Sequence, residues 1–275
     1  MINMALNLVL AVLLLLPLTF GYNYCNNRTH LCDLRKLKHF MCRLEEFPAF
    51  GTAKFHAIVP DTGVVRRETL GVINTFRNTF ASGDLTTRDN KSFPAAKRMR
   101  RLNWDEELAY LARTHSATVS FKHSECRCTL RFPWVGEVMS LLAPQESKPT
   151  ILHVLKKLLT PMFEEYKDVE DPEGLLVAYD PIRDFPVSHF TLFASDRVSR
   201  VGCGIAVGTD CNVGRKVGFC HFLTCHFDFN NVANSYVYKA GKPASGCNDW
   251  NTVGSHKYSH LCANPGGLLP TKVDD

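Results

Sequence analysis

Apolar residues recur at three- and four-residue steps in three stretches of the chain, and each spacing predicts a helix. The first carries Leu70, Ile73, Phe76 and Phe80, with Arg77 on the same stripe and Gly83 as its end. The second carries Leu108, Leu111, Ala112, His115 and Val119, with Asn103 as its N-cap and Glu106 as a capping-box acid. The third runs from Ile151 to about Lys167 through Val154, Leu155, Leu158, Leu159, Met162 and Tyr166. Pro161 falls inside it and either kinks the helix or begins a second one capped by Thr160. From Ser188 the pattern changes to short apolar runs. Phe190 with Leu192, Val201 to Val207, and Val217 to Phe229 read as strands, with Gly208 to Gly214 as a hairpin loop. Residues 84 to 100 are polar, contain Pro94 and read as a loop. The mixture, without an internal repeat, predicts an α+β domain.

The ends differ from this middle. Met1 to Gly21 has no charged side chain, and its apolar run from Leu8 to Leu18 is broken only by Pro17. This predicts a signal peptide cleaved after Gly21, since about 20 apolar residues are needed to span a bilayer. The expected organisation is a signal segment (1–21), a Cys-rich arm pinned as loops by disulfides (22–65), a central domain (66–235) and a Cys-containing tail (236–275). The arm carries Cys25, Cys32 and Cys42, and the tail carries Cys247 and Cys262. Eleven cysteines imply disulfides in an oxidising compartment, and an odd number leaves one over.

Charge adds little. The formal net charge is +5, with a basic cluster, KRMRR, at Lys97 to Arg101. In an exported chain this reads as a solvated loop beside a helix start, so no nucleic acid partner is expected. Asn90 and Asn27 head glycosylation sequons, Asn90 being the better acceptor because Asn27 sits in a tight Cys-bounded loop. His115, on an apolar helix face, reads as a hydrogen-bonded core histidine. No G-x-S-x-G elbow is present, and no Cys/His pair stands clear of the disulfides, so a hydrolase lacks support.

Four segments, His189–Thr191 with Val201–Gly204, His221–Phe227, Leu102–Ala109 and the arm with Cys25, Cys32, His39 and Cys42, together resemble the CAP superfamily, close to its insect antigen 5 branch. His189-Phe190-Thr191 followed by Val201-Gly202-Cys203-Gly204 is similar to the family's first signature, although the signature's Gln and Trp are Leu192 and Ser195 here. His221 to Phe227 followed by Asn230-Asn231-Val232 resembles the second. Leu102-Asn103-Trp104 through Leu108-Ala109 looks like the family's helix start, and the arm with Cys25, Cys32, His39 and Cys42 looks like the antigen 5 extension. The resemblance implies a three-layer α-β-α sandwich around an open cleft lined by two histidines and two acids, a set that can hold a divalent cation. Position by position it assigns Glu137, Glu165 and His189, and places Ile73 where the H-N-x-x-R motif has its histidine. With isoleucine there, zinc or magnesium is expected to bind weakly or not at all at Glu137, Glu165 and His189. The alternative for these three is a hydrogen-bonded polar cluster holding helices to the sheet.

The resemblance also implies the bridges Cys25–Cys42, Cys32–Cys126 and Cys203–Cys225. Cys211 can pair with Cys220, and Cys247 with Cys262, which leaves Cys128. The segment His123-Ser124-Glu125-Cys126-Arg127 resembles the family's H-D-x-C-R motif and assigns Cys126 to the arm bridge. On an extended segment Cys128 would then point away from the arm, buried or free to link a second chain. The family's further arm-to-helix bridge has neither partner here, its helix position being Val119. The function expected is extracellular and non-enzymatic, with no catalytic residue, no cofactor and no stable membrane insertion. Its partner would be an extracellular protein or a small hydrophobic ligand, with lipid carriage or cleft hydrolysis as alternatives.

Overall fold

A computed structural model describes residues 23–26, 31–142, 149–213 and 216–267. The expected signal segment and the Asn27 sequon lie outside them. Five strands form one sheet: β1 (Lys54–Ile58), β2 (Asn103–Trp104), β3 (Gly136–Leu142), β4 (Arg200–Val213) and β5 (Lys216–Phe227). The antiparallel order is β1-β4-β5-β3, and β2 pairs in parallel with the start of β4. The helices are α1 (Leu31–Leu34), α2 (Gly63–Ala81), α3 (Glu106–Ala117), α4 (Ile151–Glu164) and α5 (Ser188–Ala194).

The sheet is the middle of three layers. α3 lies against β4 and β5, while α2, α4 and α5 pack together beyond the sheet's other side. The Val-Gly-Cys-Gly segment explains the close fit of α3. A Cβ at Gly202 would sit 2.0 Å from Ala109 N, and one at Gly204 would sit 2.4 Å from Arg113 Cα. No side chain fits there, so both positions require glycine. The main apolar core joins Val154, Leu155, Leu158, Leu159 and Met162 of α4 to Val138, Ile205 and Leu223 of the sheet. α2 is tied across the layers by polar clamps. Asn74 bonds both backbone groups of Leu102, and wholly buried Arg77 donates to the carbonyls of Arg100, Phe193, Ser195 and Val198.

Several local expectations are corrected. Phe190 and Leu192 lie on α5, not a strand. Asn103 is in β2, and the N-cap of α3 is Asp105, whose carboxylate accepts from the Glu107 and Leu108 amides. α4 is one helix through Pro161 to Glu164, so no new helix starts at Thr160. The hairpin strands run to Val213 and resume at Lys216, which shortens the expected loop. The arm is not all loop, because β1 forms an edge of the sheet.

The basic cluster is also corrected. Arg98, Met99 and Arg100 are buried. Arg98 pairs with buried Asp196 at 2.8 Å, and the Arg98 and Arg100 guanidiniums lie 4.6 and 4.1 Å over the Trp250 ring. With Trp250 Nε1 donating to Arg98 O and Cys262 N to Met99 O, this run anchors the tail.

Disulfides join Cys25–Cys42, Cys32–Cys126, Cys203–Cys225, Cys211–Cys220 and Cys247–Cys262, and Cys128 is a buried thiol. Cys128 does not point away from the arm. The 122–129 segment is irregular rather than a strand, and Cys128 Sγ lies 3.2 Å from Cys32 Sγ and 3.7 Å from Cys126 Sγ. Around Val119, Phe50 and Ala53 pack, and Phe50 N donates to Val119 O at 2.9 Å. Asn90 is exposed in a left-handed turn with φ of 58°.

Candidate functional site

A half-open cleft of about 170 Å³ is lined by His123, Glu137, Tyr179, Phe185, Ser188, His189, Leu192, Asn230 and Asn231. Two carboxylate–imidazole pairs organise it. In the first, His123 Nδ1 lies 2.8 Å from Glu137 Oε1. In the second, His189 Nδ1 lies 2.7 Å from Glu165 Oε1.

The second pair follows from how α5 begins. Val187 cannot cap it with a side chain, so the first-turn amides need another acceptor. Glu165, on the helical turn after α4, supplies one. Its Oε2 accepts from the His189 and Phe190 amides, both at 3.1 Å, and Oε1 holds the His189 ring. Asn231 closes the same end by donating to Ser188 O and Thr191 Oγ1.

The first pair is deeper. The β3–β5 register sets Glu137 opposite His226. Glu137 Oε2 faces His115 Nδ1 at 2.7 Å, His226 Nε2 at 2.9 Å and Ser124 Oγ at 2.9 Å. Oε1 accepts from Ser124 N in addition to His123. Burial alone would raise the Glu137 carboxyl. The Arg127 charge and the bonds from His115, His123 and His226 outweigh it and hold Glu137 well below the usual carboxylate range. For His226 burial wins over its bond to Glu137, and the ring is pushed down to about 4. His115 is the expected hydrogen-bonded core histidine, with Nε2 against Lys122 O.

The structure thus brings Glu137 and His189 to one cleft, with Glu165 holding His189 from behind, and leaves Ile73 out of it. Ile73 is wholly buried in the apolar core beneath α2. Its Asn74 and Arg77 neighbours are the clamps described above, so the I-N-T-F-R segment does packing work. The cleft's other imidazole is His123. Its signal was in the sequence, because it begins the very segment that assigns Cys126. The expected gap in the donor set was therefore misplaced.

The segment 70–227 matches the model of the CAP, cysteine-rich secretory protein, family. The chain belongs to that family. Within it the chain is similar to insect antigen 5 proteins. It is 31% identical to the antigen 5 like allergen Cul n 1 of Culicoides nubeculosus over 66% of this chain and 82% of the relative. It is 27% identical to venom allergen-1 of Aedes albopictus over 88% of this chain and 87% of the relative. Among solved structures, BmVAL-1 superposes with a TM-score of 0.59 at 26% identity, covering 74% of this chain and 95% of that one. The CAP sandwich is thus reached both from the family's signatures and from the backbone.

Proposed function

We propose that this CAP protein is secreted and acts outside the cell by binding, without turning a substrate over. One observation carries this reading: both cleft carboxylates are spent on imidazole and amide donors. A general base must be free to take a proton from its substrate. Glu137, with donors on both oxygens, and Glu165, capping α5, are committed to structure. The test is turnover of generic peptide and ester substrates by purified protein. No turnover above that of a His123→Ala/His189→Ala double variant is expected, and turnover that this variant loses would overturn the reading.

The cleft offers two imidazoles, a donor type that suits a divalent cation. Each cleft imidazole has Nδ1 oriented by a carboxylate, which leaves Nε2 as a ligand nitrogen, the arrangement that fixes metal-binding histidines in many sites. His123 and His189 would hold the ion, and its chemistry when bound would be to offer coordination positions to a partner's oxygen or nitrogen atoms. The lining includes two histidines, two asparagines, a serine and a tyrosine against Phe185 and Leu192, which favours a polar ligand over an acyl chain. Extracellular action is supported by the disulfides and by the insect relatives named venom allergen and allergen.

A further inference from the structure

The three sulfurs of Cys32, Cys126 and Cys128 form a cluster outside the cleft. Cys32 and Cys126 are bridged, and the free Cys128 Sγ is in van der Waals contact with Cys32 Sγ at 3.2 Å. Both Cys126 and Cys128 are buried, with Leu31 and Leu37 beside them, but Cys126 also borders a small surface groove with Lys38, Arg43, Lys122 and Glu125. We propose that the thiol passes from Cys128 to Cys126 by exchange with the Cys32 bridge, which makes Cys126 a covalent modification site for small disulfides and electrophiles.

The step balances within the chain. The Cys128 thiol gives its proton to solvent, its sulfur bonds to Cys32 Sγ, and the Cys32–Cys126 bond breaks with its electron pair going to Cys126. No net oxidation occurs. Cys32 is the sulfur attacked because it is nearer. Attack on Cys126, at 3.7 Å, would instead link cysteines two residues apart in a strained bridge and strand Cys32, which is wholly buried. The present contact is side-on. In-line displacement needs Cys126 Sγ to swing away from Cys128, toward the small groove it borders, so exchange requires a local opening of the 122–129 segment. The released Cys126 thiolate could then attack a small disulfide, forming a mixed disulfide and expelling the other half as a thiol. Burial pushes the Cys128 thiol up, so its thiolate is scarce at neutral pH and exchange should quicken with alkalinity.

The test is N-ethylmaleimide labelling of the folded protein for a day at pH 8.5, followed by peptide mass mapping without reductant. Label on Cys126 together with a Cys32–Cys128 bridge is expected, faster at pH 9 than at pH 7, and Cys128→Ser should abolish it. Label on Cys128, or no label with Cys32–Cys126 intact, would overturn the proposal. Cys126→Ser gives an independent reading. It should form the Cys32–Cys128 bridge, and finding both as thiols in the folded variant would also overturn it.

Discussion

His123 Nδ1 lies 2.8 Å from Glu137 Oε1, so the more exposed imidazole of the cleft is held by a carboxylate with no solvent exposure. The pairing ties the cleft wall to the three-histidine cage around Glu137. A Glu137→Gln variant keeps the shape but replaces one acceptor oxygen with a donor facing other donors. Leaving a buried donor without its acceptor costs about 1–3 kcal/mol. Urea denaturation should show a loss of that order, together with faster backbone exchange around residues 123–127.

Acid should destabilise the protein through the same cage. The His226 ring titrates near 4 when folded against 6.5 as its ordinary value, so the unfolded chain takes up this proton first. Stability is therefore fully present above about pH 6.5 and falls as pH drops toward 4, by about 3 kcal/mol from this group. Glu137, whose carboxyl is held down, adds loss in the same direction at lower pH. His226→Gln, which retains a donor but does not titrate, should flatten the slope between pH 6.5 and 4. An unchanged slope would place the acid sensitivity elsewhere.

Ile73 is a packing residue. Ile73→Val should cost about 1 kcal/mol and Ile73→Ala about 3 kcal/mol. Ile73→His should cost at least as much as the alanine variant, because it buries a polar ring among apolar neighbours, and it should confer no cation affinity. Thermal denaturation of the three variants in order would check this.

Arg77 should be intolerant. Its guanidinium satisfies four carbonyls from two separate segments, at Arg100 and between Phe193 and Val198, so Arg77→Met would leave buried acceptors unpaired at about 1–3 kcal/mol each. Failure to secrete soluble protein, or a melting point lowered by more than ten degrees, is the expected outcome, read by expression and calorimetry.

The fold was legible wherever one periodicity held for several turns, as at Leu70 to Phe80 and along α4. It was misread at α5, where seven residues are too few to separate helix from strand. The cap of α3 moved from Asn103 to Asp105 because pairing with β4 claims the backbone of Asn103 and Trp104. Arg98 and Arg100 looked like surface charges because their partners, Asp196 and Trp250, lie far away in sequence. In the site, Glu137, Glu165 and His189 could be reached from local motifs. His226 joins them only through strand register, and His123 was read for its neighbouring cysteine rather than for itself.

The most direct measurement of the account is zinc titration of purified protein by calorimetry, in the wild type and in His123→Ala, His189→Ala and Ile73→Val. One-site binding in the wild type and in Ile73→Val, lost in both histidine variants, is the result predicted. No binding by the wild type, or binding that survives His123→Ala, would contradict the assignment of His123 and His189 as the working pair of the cleft.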